Sequence, residues 1–253
     1  MGQSFVGFTS DSFEFFRELA QNNNKAWFDQ NRERYDRHVV GAFRGLLETL
    51  EPFLLKLNPH FETSGKTGRN FSRINRDIRF SKDKSPYKPN YYLYIFHRSR
   101  EPQSDGRLYV GLSAECLSVG FASYAAWKRG EKSALETIFR KRLQSHSQRF
   151  KELLDRIVRR GRYETYWHRE DGKDWVQHPG LPRTENDWST LQAWIVRKVF
   201  SPRARGLAGA EFASQVEQIF AQLYPLYAFS SSASPRWQRD LERPASGRSR
   251  SAA

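Results

Sequence analysis

The densest run of chemically able side chains lies between residues 73 and 88. Arg73, Arg76, Arg79, Lys82, Lys84 and Lys88 stand there against only Asp77 and Asp83. Arginine offers a planar, permanently charged fork that matches phosphate or carboxylate, and lysine offers a mobile point charge. Ser81 and Ser85 add hydroxyls, and Tyr87 adds a ring carrying a phenol. Pro86 and Pro89 fix φ in the same run, so part of the loop is set in advance and costs less to order on binding. The chemistry this suits is anion capture. Arg76, Arg79, Lys84 and Lys88 are the expected contacts, with Arg73, Ser81 and Tyr87 beside them. Asp77 and Asp83 orient the arginines through bidentate pairs or hold Mg²⁺ next to a phosphate. A structural reading competes: Asp77 paired with Arg76 or Arg79 and Asp83 with Lys84, tying a long loop to a sheet, with Tyr87 packed over the core. The local excess speaks for function, because residues 66–100 hold ten basic side chains and two acidic ones.

The whole chain carries a net charge of +14 over 253 residues. Two blocks, 66–100 and 128–162, each contribute +8, and the tail adds more. Such a balance selects anionic partners. An anionic small molecule at 73–88 is the first expectation. A nucleic-acid-binding accessory protein is the alternative if Arg140, Lys141, Arg142, Arg149 and Lys151 of the second block join the first in one positive surface. A solvated helix face explains that second block more simply. A third alternative is a metal-assisted phosphoryl-transfer enzyme or nuclease using Asp77 and Asp83, although six residues of loop fix no geometry between two carboxylates. A fourth is a scaffold in which the basic motif only stabilises the fold. Whether the protein is an enzyme stays open.

Other motifs fall away on spacing. Ser64-Gly65-Lys66-Thr67-Gly68 resembles the end of a phosphate-binding P-loop, but the glycine required five positions before Gly65 is His60. The histidines have neither metalloprotease nor zinc-finger spacing, so no metal site is legible and no cofactor can be named. Cys116 is the single cysteine, which rules out an intramolecular disulfide. No Gly-x-Ser-x-Gly elbow is present. No apolar run approaches the ~18 residues of a membrane span, and the first residues lack the pattern of a secretory signal, so a cytoplasmic protein without membrane attachment is expected.

The elements that must position these residues read as α+β: a central antiparallel sheet, a meander, packed by several α-helices. A helix starts near Ser10 or Asp11, with Asp11 and Glu14 as a capping pair, and the run Asn22-Asn23-Asn24 ends it. A second helical tract carries Phe28, Tyr35, Val39, Phe43, Leu46, Leu50 and Leu54 on one stripe, with a kink near Gly41 and Gly45, and Pro59 closes it. Residues 58–90 read as irregular. Strands follow at 91–97, 107–113 and 116–121, with a tight turn around Ala114 and Glu115. Helices are expected at 131–143 and 147–160, one or two short strands within 163–178, and helices again at 187–199 and at 209–224, before Pro225. One domain spans residues 1–229. Residues 230–253, rich in Ser, Pro and Arg, read as a disordered tail.

Several of these segments resemble a known family. Asn22-Asn23 followed by Trp27-Phe28, the run from Arg76-Asp77-Ile78-Arg79 through Ser85-Pro86-Tyr87-Lys88, Leu108-Tyr109-Val110 and Gly120-Phe121 are similar to the bacterial and fungal domain of unknown function 2461 family. The resemblance covers about residues 8–228 and departs over 163–183, where a more regular Pro-Lys/Arg-Gly pattern is expected. It implies a shared fold and supplies neither catalytic residues nor a substrate.

Overall fold

The computed structural model describes residues 5–79, 83–125, 132–171, 174–231 and 237–242. Its centre is a six-stranded, wholly antiparallel sheet in the order β1-β2-β3-β6-β4-β5. β1 (Asn90–Ile95), β2 (Arg107–Ser113) and β3 (Leu117–Tyr124) form the expected meander. β4 (Glu164–Asp171) and β5 (Asp174–Pro179) form a hairpin, and β6 (Leu191–Phe200) joins the two groups by pairing with β3 and β4. The α+β class is therefore as the sequence implies, and the sheet is twice the width of the meander.

β6 overturns one expectation. Residues 187–199 are read from sequence as helix, whereas only the short α6 (Glu185–Ser189) is helical there, and ten residues of strand follow. The Thr184 hydroxyl caps α6 by accepting from Asp187 N–H (3.1 Å). Beyond it, Trp194, Ile195, Val196, Val199 and Phe200 supply the aromatic and β-branched content of a strand filled on both edges. Tertiary pairing decides a segment whose local pattern is ambiguous.

On the N-terminal side come α1 (Ser10–Gln21), α2 (Lys25–Gln30), α3 (Arg32–Tyr35) and α4 (Ala42–Leu57), with a π-helical turn at Asp36–Gly41 where the kink is expected. Thr9, not Asp11, precedes α1, and its N–H donates to Ser12 Oγ (3.2 Å), while Glu14 pairs with Arg17 instead. Asn24 caps α2 by accepting from Trp27 N–H (3.0 Å). α4 runs through Pro52 to Leu57 and buries Leu46, Leu50 and Leu54 completely. Each such side chain contributes ~1.5–3 kcal/mol by leaving water.

The expected pair of helices at 131–143 and 147–160 is a π-helical turn at Leu135–Phe139 followed by α5 (Arg140–Gly161), with a kink at His146. α7 (Gly209–Ser230) does not stop before Pro225. It continues through Tyr227 and Phe229, both fully buried, because packing outweighs one lost backbone hydrogen bond. Arg142 of α5 finishes that helix: its Nη1 donates to the carbonyls of Ala228, Phe229 and Ser231, each at 2.9 Å. Within the segment read as tail, Trp237–Glu242 form a short α8, and the Trp237 ring meets Phe229, His146 and the Arg142 guanidinium.

The helices and one face of the sheet share a single core. Leu93, Ile95, Leu108, Val110, Leu117, Val119, Phe121, Trp194 and Val196 point into it. The opposite face carries a separate small cluster made only of strand residues, Tyr109, Ala122, Ala193 and Ile195, flanked by Tyr92, Tyr94, Tyr124, Tyr166 and Trp175. One face packed and one open is the usual division of an antiparallel sheet. Among the described residues, no helix is long and apolar enough to cross a membrane.

Candidate functional site

The segment 58–90, read from sequence as irregular, is tied closely to the sheet. It runs along the outer edge of β1 and uses that edge's hydrogen bonds. Glu62 N–H donates to Phe96 O (2.8 Å), Tyr94 N–H to Asn70 O (2.7 Å) and Ser72 N–H to Tyr92 O (3.0 Å). Covering the edge in this way removes a row of unpaired donors and acceptors. The fully buried Asn70 holds the path, accepting from Gly65 N–H and donating to Glu62 O and Tyr94 O. The chain then folds back on itself. Arg76 N–H donates to Pro86 O and Lys88 N–H to Ile74 O, both at 2.8 Å, so residues 74–76 and 86–88 pair as the two arms of a hairpin whose base is the pairing of Asn75 with Tyr87.

Tyr87 anchors that base. Its ring is buried and stacks on Phe28 with centroids 4.1 Å apart. Its backbone makes a reciprocal pair with Asn23: Asn23 Nδ2 donates to Tyr87 O, and Tyr87 N–H donates to Asn23 Oδ1, each at 3.0 Å. The Asn23, Phe28 and Tyr87 positions, far apart in the chain, thus form one joint between the helices and the basic hairpin.

The charges of the hairpin divide into two groups. At its exposed arm Asp77 takes Arg79 in a bidentate grip, Nε to Oδ1 at 3.0 Å and Nη2 to Oδ2 at 2.7 Å. Those bonds hold the Asp77 carboxyl down at about 2. Lys84 Nζ donates to Ile78 O (3.0 Å). Asp83 accepts from Ser85 N–H and Ser85 Oγ and faces Arg76 at 2.5 Å, and the serine bonds, then the arginine, lower its carboxyl pKa. Asp77 and Asp83 are each taken up by an arginine. Ser81 lies outside the described residues, as does Lys82.

The second group gathers at the base. Lys88 is half-buried, and its amine is depressed below the ordinary lysine range, first by burial and then by Arg76 and Arg73, both close enough to repel it. Among the described residues Lys88 and Arg73 have no carboxylate partner. Arg73 lies against the Gly68 turn. Arg76 is three-quarters buried, and its Nε has no acceptor among the described residues. Of the expected site, Arg73 and Arg76 thus act on the charge of Lys88, Asp83 pairs with Arg76, and Asp77 pairs with Arg79.

A second constellation, unsuspected from the sequence, occupies the open face of the sheet. Tyr92, Tyr94, Arg107, Tyr109, Ser118, Ala122, Tyr124, Tyr166 and Arg197 line a cavity of about 140 Å³. The Arg107 guanidinium lies between the rings of Tyr94 (4.3 Å) and Tyr124 (4.8 Å), and Arg197 lies over Tyr166 (5.1 Å). Burial pushes the phenols of Tyr92, Tyr94, Tyr109 and Tyr166 up, so they remain neutral hydroxyls. Gly111 and Gly120 leave the floor low. A Cβ at Gly111 would stand 2.4 Å from the Tyr92 ring, and one at Gly120 2.8 Å from Arg197 Cβ. The signal in the sequence was the alternation Tyr91-Tyr92-Leu93-Tyr94-Ile95, which puts Tyr92 and Tyr94 on the face opposite the leucine and isoleucine. Arg197 was hidden because its segment reads as helix.

The second basic block is partly engaged by the protein itself. Arg142 is engaged with three carbonyls, Arg140 Nη2 donates to Leu191 O (3.0 Å), and Arg159 pairs with Asp155 (2.7 Å). No group of three or more potential metal ligands occurs among the described residues.

No curated protein matches the chain. A family model does, and it spans the joint, the basic hairpin and the whole sheet: the model described as a conserved hypothetical protein, DUF2461, covers residues 11–229. The chain belongs to the DUF2461 family.

Proposed function

We propose that the protein binds a small phosphate- or carboxylate-bearing ligand at the base of the 74–88 hairpin, with Lys88, Arg73 and Arg76 as the contacts. The observation that carries this reading is the half-buried Lys88, held beside two guanidinium groups with no carboxylate of its own among the described residues. Three like charges brought together cost free energy, and a bound anion returns it. The hairpin is preordered by the Asn23–Tyr87 bonds and by Pro86, which lowers the cost of binding. The Asp83 carboxylate, 2.5 Å from Arg76, supports an orienting role for it in this reading. The engagement of Asp77 and Asp83 by arginines gives the metal-assisted reading little to work with, and the inward turn of Arg140 and Arg142 does the same for a broad nucleic-acid surface.

Isothermal titration with inorganic phosphate, sugar phosphates, nucleotides and small carboxylates tests the reading. Saturable binding is expected for at least one of them. Lys88→Met and Arg73→Ala are expected to abolish it, and Arg79→Ala to leave it intact. Absence of saturable binding by every anion in the panel would overturn the proposal, as would equal loss in Arg79→Ala.

A further inference from the structure

We propose that the open face of the sheet holds a separate site for a single aromatic ring bearing an anionic group, with Arg107 and Arg197 meeting the anion and the tyrosines meeting the ring. The size sets the class. A cavity of about 140 Å³ admits one six-membered ring with a small substituent, and an engineered apolar cavity of ~150 Å³ holds one benzene. The lining sets the rest. A wholly apolar ring would leave two guanidinium groups facing it, and a bare inorganic anion would leave the tyrosine rings without a partner.

Arg107 is held by the fold without a carboxylate, and Arg197 has one. Ring faces clamp Arg107 on both sides, its Nη1 donates to Pro102 O (2.8 Å), and its Nε is buried with no acceptor among the described residues. Arg197 lies over Tyr166 and donates Nε to the exposed Glu164 (3.2 Å). One carboxylate thus answers two guanidinium groups. Among the described residues, the hydroxyls of Tyr92, Tyr94, Tyr109, Tyr124 and Tyr166 have no hydrogen-bond partner. The Tyr92, Tyr94, Tyr109 and Tyr166 phenols, kept neutral by burial and placed beside fixed cations, suit an incoming carboxylate or phosphate oxygen. Register makes the arrangement possible. Tyr109 sits opposite both Tyr94 and Gly120, and Gly120 opposite Arg197, so side chains from four strands meet over two glycines.

The test is calorimetric titration of the full chain with four probes: benzoate, phenyl phosphate, benzyl alcohol and inorganic phosphate. Benzoate or phenyl phosphate is expected to bind, with benzyl alcohol at least about tenfold weaker. Arg107→Gln and Arg197→Gln are each expected to weaken the aromatic anion by about tenfold or more, and Lys88→Met to leave it unchanged. Arg197→Gln alone decides the matter if Arg107→Gln does not fold, since it removes a guanidinium from the same cavity. The proposal is overturned if neither aromatic anion binds, if benzyl alcohol binds as well as benzoate, or if Arg197→Gln has no effect. A dimer in sedimentation whose contact shuts out all four probes would also overturn it and would mark the face as a self-association surface.

Discussion

The two positive regions of the molecule are assembled in different ways. In the hairpin most cations find answers close by in the chain: Asp77 serves Arg79 two residues on, Ile78 O serves Lys84, and Asp83 serves Arg76. On the open sheet face Arg107 and Arg197 come from distant strands and are steadied by aromatic rings. Charge clustered along a sequence tends to be consumed by its own neighbours. Charge gathered by register is left facing a cavity. The part that escapes neutralisation obeys the same rule, because Lys88 ends one arm of the hairpin and Arg73 precedes the other.

The contrast can be broken most forcefully at Tyr87. Tyr87→Ala removes the buried ring stacked on Phe28 and is expected to cost ~3–5 kcal/mol in denaturant unfolding. It should abolish anion binding at the hairpin while leaving Arg107 and Arg197 in place in whatever remains folded. Arg142→Ala comes next. It strips the end of α7 of a donor shared by three carbonyls, and a loss of ~2 kcal/mol is expected with no change at either site. Asn23→Ala removes both hydrogen bonds to the Tyr87 backbone. It is expected to cost ~1–2 kcal/mol and to speed hydrogen exchange at Arg76 and Lys88 without affecting β2 or β6.

The smaller effects sharpen the comparison. Folded Lys88 holds its proton less tightly than an unfolded lysine, so between the two pKa values the unfolded chain binds more protons. Lys88 therefore destabilises the fold at neutral pH, and the penalty is relieved as pH rises through its folded pKa toward the unfolded ~10.4. Lys88→Met should raise stability by about 1 kcal/mol or less at pH 7 while removing the binding function, a trade common where sites store strain. For Asp77 the sign is opposite. Its folded pKa of about 2 lies below the unfolded ~3.9, so the Asp77–Arg79 pair contributes above about pH 4 and is lost as pH falls toward 2. Both side chains are exposed, so the effect is small: Asp77→Asn should lower the neutral-pH unfolding midpoint slightly, and the difference should vanish as pH falls toward 2.

Much of the architecture was legible. The stripe Phe28, Tyr35, Val39, Phe43, Leu46, Leu50 and Leu54 marks the helical tract, and the aromatic run at 91–97 marks β1. The hairpin was legible as a cluster of charge but not as a shape, because which arginine meets which aspartate depends on a fold-back that Asn75 and Tyr87 fix across eleven intervening residues. β6 was not legible, since its side chains fit a helical face as well as a strand until β3 and β4 claim both edges. The tyrosine-lined cavity needs the register of five strands, and no single stretch of chain records it.

The most direct test of the anion-binding reading is the titration of Lys88 itself, followed by NMR of the ¹³Cε-labelled lysine with and without inorganic phosphate. In free protein its amine should titrate below the ordinary lysine value, and phosphate should move it upward. Arg79→Ala should change neither result. A Lys88 amine that titrates like a free lysine and ignores phosphate would contradict the account.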